Sequence, residues 1–260
     1  MARNKEILIA KFGTKCVVNR ETIAQNRVNR HAARQAELLH DYRLGIVSSG
    51  SKGAGSRKIK SHRPDLIGKL DERTLTAIGS SSAYHTWRRA FGRLEHDGRS
   101  ILTAELKATH DDMDRPQEGR SLVEVFMDCV NNGIVPVFNI LDILDQSRDE
   151  LGKIKEGKDN DFAASHLAQN VGANTLMLLT ARVRGVLIDG EVEPRISIGD
   201  LDEYASHFTG TDEDGTGSMI SKVQAGSAAL MSGVERVFIG SSGADPRQIL
   251  SGAQGTQVVQ

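Results

Sequence analysis

Three short segments of the sequence combine glycine with lysine, serine or threonine, and a fourth is the run Asp159-Asn160-Asp161 at a predicted helix start. They are residues 11–13, 48–50, 159–161 and 216–222. A lysine beside glycine amides, and polar residues at helix N-termini, bind phosphate groups in proteins that lack a P-loop. The chemistry that these residues could perform together is therefore the binding of phosphate groups.

Each segment also has an ordinary structural explanation. Lys11 could be a solvated strand end, Asp159 and Asn160 could be simple helix N-caps, and Lys222 could be a surface residue of a helix. Because all four segments occur in one chain in this order, we favour the phosphate site.

Other motif searches fail in their details. Residues 152–159 have Walker A spacing, but Asp159 stands where Ser or Thr should bind magnesium, and no apolar strand precedes them. Residues 212–223 resemble the front of a calcium loop, but Val223 replaces the glutamate of its twelfth position. The eight histidines show no HxH or HExxH spacing, which argues against a protein-ligated zinc ion.

Apolar runs and helical periodicity alternate along the chain and predict the elements that position these segments. Short apolar runs predict strands at 6–10, 44–47, 100–104, 134–138, 175–179 and 234–239. Helical spacing predicts helices at 21–41, 70–94, 118–132, 159–171, 219–232 and 246–250. This order predicts an α/β protein with a mostly parallel sheet and helices on both faces, in which ligands bind beyond the carboxyl ends of the strands.

Glycines and aromatic residues add two expectations. Gly50, Gly53 and Gly55 follow an apolar run, which predicts a loop whose backbone approaches a ligand. Ala77, Ile78, Tyr84, Trp87 and Phe91 lie on the apolar side of the helix predicted at 70–94, and we expect its aromatic rings in the core rather than against a partner chain.

Composition excludes several classes of protein. A hydrophobic fraction of 38% and a net charge of −1 argue against a disordered chain and against a nucleic-acid binder that depends on broad electrostatic attraction. No apolar run reaches the roughly 18 residues of a membrane span, and the N-terminus leads into no signal-peptide core. Cys16 and Cys129 form no CxxC pair, so we expect free thiols in a cytoplasmic protein.

The ordered motifs of the chain resemble those of the amino-acid kinase family, and most of all its glutamate 5-kinase branch. The resemblance runs from Ile7 to Thr256 and rests on KFGT at 11–14, VSSGSKGAG at 47–55, NNGIVPVFN at 131–139, GKDND at 157–161, GANTLMLLT at 172–180 and GTGSMISK at 215–222. It implies a carbamate kinase-like, three-layer αβα sandwich formed by one domain, 1–260. Residues up to about 155 would bind the acceptor and about 156–260 the nucleotide. Many glutamate 5-kinases continue into a PUA-type domain, and the resemblance covers only their kinase domain.

The resemblance also implies roles for individual residues. Lys11 and Lys222 would grip the phosphates of ATP and offset charge during transfer, and Asp161 would orient both lysines. The residues implied to bind ATP are Lys11, Gly13, Thr180, Thr216, Gly217, Ser218, Met219 and Lys222. Those implied to bind the acceptor are Ser49, Gly50, Asn139, Asp142 and Asn160, with Gly13 and Gly50 also supplying amides to the transferred group. Mg²⁺ would be held mainly by the ATP phosphates.

Two stretches depart from the family pattern. The family's NEND motif reads Asn139-Ile140-Leu141-Asp142, so two polar positions near the acceptor site have become apolar. Thr180-Ala181 is followed by Arg182-Val183-Arg184, where the two arginines could contact phosphate or, as we favour, face solvent.

The implied activity is phosphorylation of the side-chain carboxylate of L-glutamate by ATP, the first step of proline synthesis. Ile140 and Leu141 keep open a kinase for another small amino acid or a specialised metabolite. A catalytically silent protein that binds nucleotide or amino acid is the third alternative, and the retained Lys11, Asp161 and Lys222 speak against it. Family members assemble as dimers or tetramers, so a homo-oligomer is expected, without nucleic-acid or membrane partners.

Overall fold

The computed structural model describes residues 5–19, 23–140, 159–181, 183–200, 204 and 219–260. The strands are β1 (Glu6–Phe12), β2 (Tyr42–Ser48), β3 (Glu95–His96), β4 (Arg99–Ser100), β5 (Thr103–Ala108), β6 (Val135–Ile140), β7 (Thr175–Thr180), β8 (Leu187–Ile188), β9 (Glu191–Val192), β10 (Arg195–Ser197), β11 (Arg236–Ser241) and β12 (Thr256–Val259).

The α-helices are α1 (Thr14–Val17), α2 (Gln25–Ala36), α3 (Ser51–His62), α4 (Glu72–Phe91), α5 (His110–Asp114), α6 (Pro116–Asn131), α7 (Asn160–Asn170), α8 (Met219–Met231) and α9 (Pro246–Leu250). Short 3₁₀ helices lie at Glu37–His40, Pro64–Leu66 and Ile198–Asp200. Within the described ranges, every helix is too short or too polar to cross a membrane.

A sheet in the order β10-β12-β11-β7-β1-β2-β6-β5 runs through the centre of the protein. Its neighbouring strands pair in parallel, except for the antiparallel pair β11–β12. Phe12 is in register with Ser48 on one side and Leu179 on the other, so the carboxyl ends of β1, β2 and β7 meet at one edge. The predicted α/β class and mostly parallel sheet are confirmed.

The two faces of the sheet carry separate cores because successive strand residues point to opposite sides. Ile7 and Ile9 of β1 belong to the core beneath α6, α7 and α8. Leu8, Ala10 and Phe12 belong to the core beneath α1, α2 and α4. The molecule is thus the three-layer αβα sandwich that the resemblance implied, and residues next to each other in one strand serve different layers.

The glycine cluster is helical, which corrects the loop expected there. Gly53 and Gly55 lie within α3, which packs along α4. A Cβ atom added to Gly55 would lie 1.8 Å from the carbonyl oxygen of Leu75, and one added to Gly79 would lie 1.9 Å from that of Ser51. Gly55 and Gly79 are therefore required for the close approach of two helices, whereas the expected ligand-binding role applies at most to Gly50.

Other predicted boundaries also shift. β1, β2 and β6 extend past their apolar runs to include Lys11, Ser48 and Asn139, and the third predicted strand lies at Thr103–Ala108 instead of 100–104. β10 and β12 were not predicted. Trp87 and Phe91 are fully buried, as expected, whereas Ala77 is exposed.

Candidate active site

Two lysines and one aspartate from three distant segments meet at the carboxyl edge of the sheet. Lys11 Nζ donates to Asp161 Oδ1 at 2.6 Å, and Lys222 Nζ donates to Asp161 Oδ2 at 3.1 Å. Lys11 lies near the end of β1, Asp161 in the first turn of α7 and Lys222 in the first turn of α8. The predicted juxtaposition of these three residues is therefore present in the structure, while their roles stay predictions.

A second aspartate connects the starts of the two helices. Asp159 is the N-cap of α7, and its carboxylate accepts hydrogen bonds from the backbone N–H of Asp161 at 2.8 Å and of Phe162 at 3.1 Å. The Ser221 hydroxyl of α8 donates to the same carboxylate. The capping role considered for Asp159 is thus real, and it also fixes the first turns of α7 and α8 against each other.

The three charged side chains are almost completely buried, with exposed fractions of 3% for Lys11, 0% for Asp161 and 7% for Lys222. Burial raises the pKa of Asp161, but attraction and hydrogen bonds from the two lysines exceed that effect and hold the pKa below its usual range. Burial lowers the pKa of Lys222, and Asp161 more than reverses this effect. The Asp161–Lys222 pair therefore stays ionised at neutral pH, and Asp159 adds a second carboxylate near Lys222.

The end of β2 provides a second, uncharged group of polar side chains. The buried indole N–H of Trp87 donates to Ser48 Oγ at 2.8 Å, and Ser48 Oγ donates to the Ser49 carbonyl at 3.1 Å. The Ser49 N–H donates to the carbonyl of Phe12 at 3.0 Å. Hydrogen bonds from both sides thus fix the backbone that presents Ser49.

Gly50 turns the chain from β2 into α3. Its φ of +114° lies in the region that favours glycine, and as N-cap of α3 it has no side chain to accept hydrogen bonds from the helix. The first-turn amides of α3 therefore remain available to an anion. Asn139, on β6, donates through Nδ2 to Ser51 Oγ at 2.7 Å, which ties the start of α3 to the sheet.

Asn160 adds a neutral side chain next to the charged group. It is the first residue of α7, next to both Asp159 and Asp161. Its Oδ1 atom is buried and makes no hydrogen bond with the described residues. A buried amide oxygen without a donor costs free energy, so a donor group on a ligand would satisfy it.

Two predicted site residues, Gly13 and Thr180, have other partners, and Ile140 of the altered motif lies in the core. The Gly13 N–H donates to the Leu179 carbonyl at 3.3 Å. This amide was expected to point to a transferred phosphoryl group, and it does not. The Thr180 hydroxyl donates to the Val183 carbonyl at 2.6 Å and accepts from its N–H at 3.2 Å, which closes a turn after β7. Ile140 is 4% exposed and packs in the core on the α6–α7 face. It is therefore a core residue rather than an altered acceptor contact.

The remaining predicted residues lie at the margin of the described structure. Met219 is partly buried at the start of α8 and packs against the core. Arg184 is exposed, as favoured from the sequence. Asp142, Thr216, Gly217, Ser218, Leu141 and Arg182 lie outside the described residues.

The structure also shows contacts of residues to which the motifs assigned no individual role. Hydrogen bonds of Ser51, Ser48 and Trp87 hold the chain on both sides of Gly50, and Ser221 joins α8 to Asp159. Serine beside glycine was the available signal for Ser48 and Ser51. Nothing in the spacing distinguished Trp87 from an ordinary core residue.

Comparison with known proteins gives a consistent family. The model of the amino acid kinase family matches residues 6–241. The glutamate 5-kinase of Pasteurella multocida (strain Pm70) is 29% identical over 262 residues, which cover 96% of this chain and 67% of the relative. The glutamate 5-kinase of Escherichia coli O1:K1 / APEC is 28% identical over 253 residues, which cover 92% and 64%. The chain thus spans about two thirds of the length of these relatives.

Solved structures share the fold at lower sequence identity. A carbamate kinase from Giardia lamblia bound to AMP-PNP superposes with a TM-score of 0.73 at 16% identity, with 99% of each chain covered. A UMP kinase from Bacillus anthracis superposes with a TM-score of 0.59 at 11% identity, with 98% of this chain and 96% of that chain covered. Because the family match extends over most of the sequence and the fold agrees with it, this chain belongs to the amino acid kinase family.

Proposed function

We propose that the protein is an ATP-dependent kinase that phosphorylates a carboxylate, with the side-chain carboxylate of L-glutamate as the acceptor. The observation that carries the proposal is the buried cluster of Lys11, Asp161 and Lys222 at the carboxyl edge of the sheet. Lys11 and Lys222 both donate to Asp161, which holds two ammonium groups side by side. Together they could also bind the oxygens of an anionic ligand such as the phosphates of ATP.

The reaction joins two anions that repel each other. A carboxylate oxygen attacks the γ-phosphorus, the bond from that phosphorus to the β,γ-bridging oxygen breaks, and ADP leaves as an acyl phosphate forms. The carboxylate is already ionised near neutral pH, so no general base is needed. Lys11 and Lys222 would reduce the repulsion and stabilise charge on the transferred group, and Asp161 would fix both ammonium groups in place.

The nucleotide and the acceptor would bind at opposite ends of this edge. We place ATP beside α8, near Lys222 and Met219, with Thr216, Gly217 and Ser218 as further contacts from the preceding segment. We place the acceptor beside Ser49, Gly50, Asn139 and Asn160, with Asp142 as a further contact. Apart from Asn160 and Lys11, this division follows the expected one into an acceptor-binding part up to about residue 155 and a nucleotide-binding part from about residue 156.

A divalent cation fits this arrangement only as a companion of the phosphates. Asp159 and Asp161 are the carboxylates that the described residues bring to the cluster, and both already accept hydrogen bonds from Ser221, backbone amides or lysines. Mg²⁺ would therefore take phosphate oxygens and water as ligands. When bound, it would supply positive charge to the phosphates.

The acceptor assignment has its own support. The unpartnered Oδ1 of Asn160 would accept a hydrogen bond from an ammonium group, which favours an amino acid over a simple carboxylic acid. The argument for another acceptor rested on Ile140 and Leu141, and the core position of Ile140 removes half of it. Glutamate thus stays the leading acceptor, and its product would enter proline synthesis in the cytoplasm. A homo-oligomer is part of this expectation and can be tested by light scattering.

ADP release measured with a panel of amino acids tests the function. Release that depends on glutamate is the expected result. Release with another amino acid alone would replace the acceptor, and none with any acceptor would leave a binding protein.

The variant Lys11→Ala tests the mechanism in the same assay. We expect turnover to fall at least about 100-fold, since a group that stabilises transferring charge is lost. Lys60→Ala removes the same charge from an exposed position on α3 and should leave turnover unchanged. Circular dichroism of both variants confirms folding, and unchanged turnover in folded Lys11→Ala would exclude this lysine from the reaction.

A further inference from the structure

A separate cluster of polar side chains lies away from the carboxyl edge of the sheet, where a hairpin meets the 3₁₀ helix before β2. His40, His96 and Asp97 each offer one ligand atom, and these atoms all lie within 4.8 Å of one another. The imidazole ring centroids of His40 and His96 are 4.7 Å apart, and the ring planes make an angle of 62°. His96 Nε2 is 3.4 Å from Asp97 Oδ2. The geometry points to a binding site for a divalent transition-metal ion such as Zn²⁺.

The distances are close to those that such an ion needs. Zn²⁺ binds imidazole nitrogen and carboxylate oxygen at roughly 2.0–2.2 Å, so tetrahedral ligands lie about 3.4 Å apart. The His96–Asp97 pair already has this separation. Rotation of the exposed His40 side chain would bring the third ligand into place, and water would complete the coordination.

The backbone holds the ligands in fixed positions. Asp97 and Gly98 form the two-residue turn between β3 and β4, with φ values of +50° and +71°, as in a type I′ hairpin. The Ile101 N–H donates to the Leu94 carbonyl at 3.0 Å and closes the base of this hairpin. A non-glycine residue at positive φ is uncommon, and here it directs the Asp97 carboxylate beside His96.

The chemistry of the ligands selects the ion. Two imidazoles and one carboxylate favour Zn²⁺, Ni²⁺ or Cu²⁺, whereas Mg²⁺ and Ca²⁺ prefer oxygen ligands. The site would therefore be separate from the Mg²⁺ that accompanies ATP. A bound ion would link the β3–β4 hairpin, which follows α4, to the 3₁₀ helix that leads into β2, and so stabilise the folded state.

The lack of HxH or HExxH spacing argued against a protein-ligated zinc ion, but spacing reports only neighbours in sequence. His40 and His96 come from segments on either side of β2, α3 and α4, and only the fold brings them together. The sequence argument therefore does not apply to this pair.

Isothermal titration calorimetry with ZnCl₂ on the untagged full chain, with Mg²⁺ present, tests the site. We expect one Zn²⁺ per chain, binding at least about tenfold weaker in His40→Gln and in His96→Gln, since changes even to residues that only support metal ligands weaken binding 10- to 100-fold. His62→Gln changes an exposed histidine on α3 and should bind like the parent. Absence of Zn²⁺ binding by the parent, or parent-like binding by either ligand variant, would overturn the assignment.

A spectroscopic readout covers the case in which a variant is poorly folded. The electron paramagnetic resonance spectrum of Cu²⁺ bound to the parent protein should show coupling to two imidazole nitrogens. Coupling to one nitrogen or none would contradict the site without any substitution.

Discussion

The two ends of the candidate site are built by different means. The end proposed for the nucleotide consists of buried charges, Lys11, Asp161 and Lys222, held by ion pairs between 2.6 and 3.1 Å long. The end proposed for the acceptor consists of neutral groups, in which the Trp87 indole donates to Ser48 and Asn139 donates to Ser51. Lys11 belongs to the charged end and Phe12 to the neutral end, because adjacent residues of β1 point to opposite faces of the sheet.

The difference concerns what fixes each geometry. On the charged side, electrostatic attraction in a buried setting determines where the side chains lie, so each member depends on the other two. On the neutral side, position depends on the packing of α3 and α4 behind the serines, because single neutral hydrogen bonds contribute only about 1 kcal/mol. Substitutions should therefore act locally and strongly on the first side and through helix packing on the second.

The largest effect is expected from Asp161→Asn, which leaves two buried lysines without their carboxylate. Breaking a buried ion pair costs roughly 3–5 kcal/mol, so the free energy of unfolding measured with urea should fall by about that amount. Asp65→Asn interrupts the exposed Arg63–Asp65 pair and should leave stability nearly unchanged. Equal stability of the two variants would show that the cluster is not held by charge.

Acidification should lower the free energy of unfolding by about 3 kcal/mol, mainly through the buried His31 of α2. Burial and the charge of Arg34 lower the pKa of His31 to about 4. The unfolded chain, with a pKa near 6.5, binds the proton first, so this stability is complete above pH 6.5 and is lost as pH falls toward 4. The lowered pKa of Asp161 keeps its contribution until pH falls below about 3.9.

Unfolding free energies between pH 7 and pH 4.5 check this order. The parent should lose stability over this window, and His31→Phe, which keeps a ring against Phe12, should lose much less. The same slope in both proteins would assign the acid sensitivity to other groups.

A smaller effect, about 1–3 kcal/mol, is expected from Gly55→Ala. The new methyl group would collide with the Leu75 carbonyl and separate α3 from α4. Gly53→Ala is the matched control, because its Cβ would meet Thr14 and Val18 at ordinary distances of 3.4–3.5 Å and the substitution favours the helix. We expect a raised KM for the acceptor in Gly55→Ala only, with the KM for ATP unchanged. An equal change in both KM values would mean that helix packing does not act on the acceptor side alone.

Much of the fold could be predicted from the sequence because buried parallel strands are apolar and their helices are periodic. The boundaries were wrong where strands continue into polar residues, as at Lys11 and Asn139, since periodicity stops at the first polar side chain. Helix α3 was missed because Gly53 and Gly55 lower helix propensity, and packing against α4 overrides that preference. The charged residues could be found from motifs, whereas the partners of Ser48 and Ser51 depend on contacts that arise only in the folded chain.

The position of Trp87 has a practical consequence. It is the single tryptophan of the chain, it is fully buried, and its indole N–H is hydrogen-bonded to the serine that precedes Ser49. Tryptophan emission from the intact protein therefore arises from one chromophore at the end proposed for the acceptor. Occupancy of that end by a small molecule would change the surroundings of this fluorophore and could be followed by light emission without any attached label.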